Sequence, residues 1–399
     1  MATIFRWLLR LFTGLVVLFG SAAFLAYYLA ERSLPDYSAT YHVAGITAPI
    51  EIIRDNANVP HIFGTDDSDT YFGLGFTHAQ DRLWQMMMMR RTAQGRLSEM
   101  FGERTLNIDM LLRRLDIYNL SVSSLDAQTA QTRTALDAYA AGVNAWLTQV
   151  NKGALGRGAP EFFIFSNELA PWQAADSIAI VKLMALQLSG HLEEEVLYAR
   201  TSLLLSPARV RDILPDVPGA GIAALPEYAA LFQNLPRFAE TDPIVRDPLS
   251  PFNPRAFGGA SNAWAAAPSR SATGSTLLAN DPHLGFTAPA IWYLARLELA
   301  GGGVIGGTIP GVPAIMLGRS QGFGWGLTSS NMDDQDLFIE KLNPGNPNEV
   351  LTPSGYKPLR TRPSIINVKD AAPVTINLQW SENGPVLPPS HYGLGAITP

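Results

Sequence analysis

The residues with the most suggestive chemistry lie in the run Gly258-Gly259-Ala260-Ser261-Asn262-Ala263-Trp264, where small, flexible residues lead straight into a serine. A serine hydroxyl is a weak nucleophile at neutral pH and needs a base. In mid-chain that base must come from elsewhere. At a new N-terminus the serine supplies its own, because an α-amine titrates at about 7.7 to 8 and is substantially neutral near pH 7 to 8. Cleavage between Ala260 and Ser261 would thus create nucleophile and base in one event. The pattern permits this chemistry without demanding it, since a serine in a glycine-rich turn has the same local sequence.

Competing signatures are missing: there is no HExxH and no GxxxxGK followed by serine or threonine. The run Gly301 to Gly306 satisfies GxGxxG, yet it falls between two strand-like stretches and opens no helix. A hairpin turn is expected there, not a phosphate cradle. With no cysteine, the chain can hold no disulfide, thiolate zinc site or cysteine nucleophile. A net charge of -6 offers no basic footprint for phosphates, so nucleic acid is not an expected partner.

The elements that must position Ser261 read as an α+β chain, helical first and then stranded. Among 399 residues 47% are hydrophobic and only 16% charged, enough apolar material for a large core, and the length suits two or three domains or one large intertwined one. Short strands are expected at Ile50 to Arg54 and His61 to Phe63 around a turn at Asn56 to Pro60. Helices follow over Asp66 to Phe101, Asp126 to Val150 and Asp176 to Leu205. The helical stretch Trp84 to Met89 is expected to pack against the sheet. From Ser206 to Gly259 repeated prolines break the pattern and mark a connector. Beyond Ser261, the stretches Trp292 to Leu299, Val304 to Ile309, Ala314 to Gly318 and Phe323 to Thr328 are short, β-prone and separated by glycine or proline, as adjacent strands would be.

At the N-terminus, Arg6 and Arg10 precede an uncharged run from Leu11 to Leu29, closed by Glu31 and Arg32. This is nearly long enough for a hydrocarbon core of about 30 Å. Both a membrane anchor with its arginines in the cytoplasm and a signal peptide cut after Ala23 fit it, and either exports the remainder.

Several segments together carry a resemblance. Ala260 to Trp264 (ASNAW), Leu277 to Leu284 (LLANDPHL), Pro289 to Tyr293 (PAIWY), Pro310 to Ser320 (PGVPAIMLGRS) and Gly324 to Thr328 (GWGLT), running on to Asp336, resemble the start of the catalytic chain of the penicillin acylase family. Arg54 to Ile62 (RDNANVPHI), Gly75 to Met86 (GFTHAQDRLWQM) and Gly95 to Gly102 (GRLSEMFG) resemble its smaller chain. The likeness runs in order from about Ile50 to Pro399.

The resemblance implies an N-terminal nucleophile hydrolase with an αββα four-layer fold, two antiparallel sheets stacked between helical layers. It divides the chain into a signal or anchor (1–32), a mainly helical small chain (33–205), an excised spacer (206–260) and the first part of the catalytic chain (261–399). The catalytic chain of the family runs on for several hundred residues and supplies a second oxyanion donor from an asparagine. The chain is therefore expected to be incomplete at its C-terminus. Processing would fall at Ala260–Ser261, with alanine where the family usually has glycine.

By the same likeness Ser261 is the nucleophile and its α-amine the base, His283 orients that amine, and the backbone N–H of Ser329 is one oxyanion donor. Met184 and Leu188 line the acyl pocket, with Trp292, Tyr293 and Ile315 as further wall candidates. Glu194, Asp333 and Asp336, with the carbonyl of Gln335, would bind a structural calcium, and no organic cofactor is implied. The expected protein is a periplasmic or membrane-anchored two-chain amidohydrolase acting on a small acylated amine. An acyl-homoserine lactone acylase or a non-catalytic anchored homologue are the alternatives.

Overall fold

The computed structural model describes residues 2–152, 158–165, 169–188, 261–284, 287–328 and 340–387, with isolated positions at 201, 205–206, 209, 212, 249 and 337–338. The mixture of helices and antiparallel strands is α+β. Residues 1–88, 128–177 and 287–325 form one compact unit, and residues 89–127, 178–286 and 326–399 form a second.

The chain opens with α1 (Ala2–Ser33), a 32-residue helix of about 48 Å whose apolar window is 0% buried. Its length and composition suffice to cross a bilayer. Next come β1 (Glu51–Arg54) and β2 (Pro60–Phe63), the expected hairpin, with Asn58 at φ 60° in its turn. Then follow α2 (Asp67–Gln94), α3 (Ser98–Phe101), α4 (Leu106–Leu115), α5 (Ile117–Ser123), α6 (Ala130–Lys152) and α7 (Ala174–Leu188).

The helical stretch expected over Asp66 to Phe101 is interrupted twice, by a kink within α2 at Arg82 (φ -136°, ψ 23°) and by a stop at Gly95 before α3. Gly95 takes φ +60°, the N–H of Gly95 bonds the Thr92 carbonyl (2.9 Å), and that of Arg96 bonds the Arg91 carbonyl (2.9 Å). These paired bonds close the helix end in the left-handed cap that glycine tolerates. α6 begins later than Asp126 because Thr129 is its cap, its hydroxyl accepting from the Thr132 N–H (3.1 Å). α7 begins earlier than Asp176, whose carboxylate reaches back to the N–H of Gln173 (2.8 Å). The continuation expected to Leu205 lies largely outside the described residues, as does most of the proline-rich connector.

Strands take over after Ser261: β3 (Asn262–Ala266), β4 (Leu277–Asp281), β5 (Tyr293–Leu299), β6 (Gly302–Thr308), β7 (Leu317–Arg319) and β8 (Gly324–Trp325). Beyond them lie β9 (Leu342–Asn343), β10 (Asn346–Thr352), β11 (Gly355–Pro358), β12 (Arg360–Ile366) and β13 (Val374–Trp380).

The first unit is built on a six-stranded sheet ordered β1-β2-β5-β6-β7-β8. Every pairing in it is antiparallel except β2 with β5, where His61 stands opposite Arg296. The run Gly301 to Gly306 is the turn and start of the β5–β6 hairpin, as expected. Joining the N-terminal hairpin to this sheet was not foreseeable from local pattern, since it pairs residues far apart in sequence.

Helix α2 lies on the sheet because glycine lets it. A Cβ on Gly73 would sit 2.6 Å from the Ile62 side chain, and the Thr70 hydroxyl donates to the Glu298 carbonyl (2.9 Å). Helices α2 and α6 meet through reciprocal glycines. A Cβ on Gly75 would fall 2.1 Å from the Tyr139 carbonyl oxygen, and one on Gly142 would fall 1.9 Å from that of Phe72. Phe76, Trp146 and Tyr41 fill the adjacent core, with ring centroids 5.3 to 5.8 Å apart. Met86 and Met87 are buried, and Trp84 packs on Phe162 (5.4 Å) and Phe165 (5.5 Å).

In the second unit β12 and β13 form a ribbon whose Ile366, Ile376 and Leu378, with Val368 from the connection between the strands, pack against Leu106 and Met110 of α4. Asp109 on the same helix accepts the N–H groups of Leu97 (2.9 Å) and Ser98 (2.6 Å), satisfying donors at the start of α3. β3 and β4 form a separate two-stranded ribbon, which carries Ser261 at its head.

Candidate functional site

Two polar clusters stand out, and their surroundings separate them. The first lies in the unit built on the six-stranded sheet and gathers the motif residues Arg54, His78 and Asp81. The carboxylate of Asp81 accepts from both terminal nitrogens of Arg54 (2.9 and 3.1 Å), from the Tyr37 hydroxyl (3.0 Å) and from the Tyr293 hydroxyl. The Arg54 guanidinium also covers the Tyr37 ring at 3.9 Å. Burial, and then the Asp81 charge, push the Tyr293 phenol well above its ordinary pKa, so it remains a donor.

Beside it His78 is fully buried, with Nδ1 2.8 Å from the Tyr139 hydroxyl and Nε2 2.8 Å from the Thr308 hydroxyl. The partners settle the protons. Thr308 spends its own proton on the Tyr293 carbonyl (2.7 Å), so Nε2 must be the ring donor. Tyr139 receives the Gly311 N–H (2.8 Å) and gives its own proton to Nδ1. Burial, and then the charge of Arg82, lower the His78 pKa to about 3 and keep the ring neutral. Every polar atom of this relay is matched and none faces solvent, which marks a structural lock rather than a place for substrate.

The second cluster surrounds Ser261, which is half-buried and stands immediately before β3. The register sets Asn262 opposite Asp281 and Ala263 opposite Asn280. Ser261 and His283 therefore emerge at the same end of the ribbon. The His283 Nε2 lies 2.6 Å from the Asp281 carboxylate, with side chains 44% and 59% exposed. Nδ1 is thus the nitrogen of His283 not engaged by this pair. From the segment after β8, the Thr328 hydroxyl donates to the Ser261 carbonyl (3.1 Å).

Sequence reasoning missed Asn280, which holds this region together. Its Nδ2 donates to the carbonyls of Asn262 (2.9 Å) and Leu327 (2.9 Å), and its Oδ1 accepts the Leu327 N–H (3.0 Å). It lies inside LLANDPHL as the last residue but one of β4, and no local pattern marks it out. Met184 and Leu188 both lie on α7, but Met184 is buried whereas Leu188 is 54% exposed. Ala260, Ser329 and the proposed calcium ligands Glu194, Asp333, Gln335 and Asp336 lie outside the described residues. Among the described residues no group of three or more His, Asp or Glu side chains converges as a metal site would.

The chain is similar to several known proteins. The family model for penicillin amidase matches residues 49–398. Penicillin acylase 2 proenzyme from Pseudomonas sp. (strain SE83) is 30% identical over 364 residues, covering 90% of this chain and 46% of that protein. The acyl-homoserine lactone acylase QuiP from Pseudomonas aeruginosa is 28% identical, covering 89% of this chain and 42% of that protein. Penicillin G acylase from Escherichia coli is 26% identical, with 92% and 48% covered. The chain thus spans about half the length of the curated relatives it matches. A solved structure of thermostable penicillin G acylase from Alcaligenes faecalis aligns at 27% identity with a TM-score of 0.36, covering 43% of this chain and 95% of that one. With its motifs in order and the family model matched from residue 49 to residue 398, the chain belongs to the penicillin amidase family.

Proposed function

We propose that this chain carries the nucleophile of an amidohydrolase that cleaves a linear, non-peptide amide through an acyl-enzyme on Ser261. The family match across residues 49–398 is the observation that carries the reading. The place of Ser261 at the head of a strand, with its carbonyl held by Thr328, supports it.

Cleavage of the Ala260–Ser261 bond frees the α-amine. That amine takes the hydroxyl proton as Oγ attacks the substrate carbonyl. The tetrahedral oxyanion is stabilised by the backbone N–H of Ser329, a kind of contact that contributes about 3 kcal/mol. As the C–N bond breaks, the proton passes to the leaving amine, and water then hydrolyses the ester to release the acid. His283, at the same end of the ribbon, orients the α-amine by hydrogen bonding. Met184 and Leu188 belong to the acyl pocket. The completed fold is the αββα arrangement of N-terminal nucleophile hydrolases, split into two chains once residues 206–260 are removed. α1 directs the protein out of the cytoplasm, as a cleaved signal or as an anchor.

The relatives named above include both penicillin acylases and acyl-homoserine lactone acylases. The substrate class proposed is accordingly an acyl group joined by an amide to a small amine. Pocket volume sets the preference among acyl groups, at about 1 to 3 kcal/mol per methylene.

Mass spectrometry of the full-length protein should find a new N-terminus at Ser261. Ser261→Ala should remain uncleaved and lose activity by at least about a thousandfold. Turnover retained in that variant would locate the nucleophile elsewhere. Glu194, Asp333 and Asp336 with the Gln335 carbonyl form the hard oxygen set that calcium prefers. Calcium content should fall in Asp333→Ala, and an unchanged content would remove the site.

A further inference from the structure

The three hydrogen bonds of Asn280 converge where the proposed chemistry needs rigidity. One carboxamide joins two backbone segments that are remote in sequence: residue 262, next to the serine, and residue 327, next to Thr328. Only one orientation of the amide satisfies all three contacts, because the flipped form would set its oxygen against two carbonyls. No other side chain of this length offers two donors and an acceptor in one plane. Aspartate lacks the donors, and leucine lacks both.

The neighbouring sequence is built around this contact. A Cβ on Gly326 would fall 2.8 Å from the Asn280 Cγ, so the glycine of Gly-Leu-Thr is needed for the close approach of the two segments. Two residues later Thr328 adds a second tie, its hydroxyl donating to the Ser261 carbonyl (3.1 Å). Two consecutive carbonyls, those of Ser261 and Asn262, are thereby anchored to the segment that leads directly into Ser329.

We propose that Asn280 is a positioning residue. With Thr328 it locks residues 326–328 to the head of β3 and so sets where the Ser261 hydroxyl stands relative to the backbone that follows Thr328. This rests on the reading of Ser261 as the nucleophile. Neither side chain takes or gives a proton in the reaction. Both act through the placement of attacking oxygen and oxyanion donor, where a displacement of about 1 Å costs about a hundredfold in rate.

The test is steady-state kinetics of the full-length protein on an N-acyl-4-nitroaniline, with self-cleavage at Ser261 followed by mass and thermal unfolding measured alongside. Asn280→Ala should lower kcat by about a hundredfold with KM changed less than about threefold, since a geometric role acts on the chemical step. Asn280→Asp keeps the acceptor for Leu327 but sets carboxylate oxygen against two carbonyls, and it should not rescue. Thr328→Val should lower kcat without moving the thermal midpoint, and Thr328→Ser should restore it. The threonine pair decides the matter if the Asn280 variants do not fold. Normal kcat in both Asn280→Ala and Thr328→Val, or losses that follow the thermal midpoint and are not rescued by Thr328→Ser, would overturn the proposal. If Ser261→Ala is inactive while those variants work normally, the positioning role alone falls. If Ser261→Ala retains turnover, or the parent neither cleaves itself nor turns over, the nucleophile reading falls and takes the positioning role with it.

Discussion

The His78–Asp81 cluster and the Ser261 ribbon use the same kinds of group, hydroxyl, imidazole and carboxylate, and put them to opposite ends. Around His78 both ring nitrogens and their hydroxyl partners are matched internally, while the Asp81 carboxylate is filled by Arg54 and two tyrosine hydroxyls, of which Tyr37 is 47% exposed. Arg54 and Asp81 are each only 10% exposed, and His78 is not exposed at all. Around Ser261 the hydrogen bonds run mainly to backbone carbonyls, while the Asp281–His283 pair remains half exposed. A network saturated and buried at its centre gains stability by having no spare valence there. The proposed site around Ser261 instead has its backbone held and the Asp281–His283 pair open to solvent. The presence of histidine and aspartate in a recognisable motif is thus a poor guide to catalysis unless burial and partner count are known.

The contrast can be broken most sharply at Asp81. Asp81→Ala removes the carboxylate that pairs with the largely buried Arg54 and accepts from the buried Tyr293 hydroxyl, leaving Arg54 only the Gln80 and Asn58 oxygens, and it should cost about 3 to 5 kcal/mol in denaturant unfolding. A loss below about 1 kcal/mol would mean that the cluster is no lock.

Next in size is an acid effect. The His78 ring titrates at about 3 in the folded protein. An unfolded histidine titrates at about 6.5. Between these values the unfolded chain binds the additional proton, so the contribution is fully present above about pH 6.5 and is lost as pH falls toward 3. His78→Gln should flatten the stability–pH profile in that window, where the slope is at most about 1.4 kcal/mol per pH unit. An unaltered profile would assign the acid sensitivity to other groups.

The smallest effect is expected on the ribbon. Trp264, 64% exposed on β3, should tolerate Trp264→Ser within about 0.5 kcal/mol. A large destabilisation there would show the ribbon to be as tightly packed as the relay and would erase the distinction.

Much of the element order was legible because periodicity and punctuation are local. The helices from Asp67 and Ala130, the β1–β2 hairpin, and the hairpin at Gly301 follow from apolar spacing, caps and glycine. The break at Gly95 was missed because a glycine within a helical pattern is tolerated more often than not, and only the bonds from Gly95 and Arg96 make it a stop. Ser261 was legible from its small-residue approach and the family motifs. Asn280 was not, because its importance depends on Leu327, 47 residues on, and no spacing rule connects them.

The sequence by itself determined the family, the α+β class, the long apolar N-terminal segment and the serine most worth testing, all of which are written in residue types and short spacings. Tertiary structure alone decided that His78 and Asp81 are structural, that β2 pairs with β5, and that Asn280 joins two distant backbones. The physical reason is common to all three. A polar group's role is set by what desolvates it and what satisfies its hydrogen bonds, and in a folded chain those partners come from positions remote in sequence.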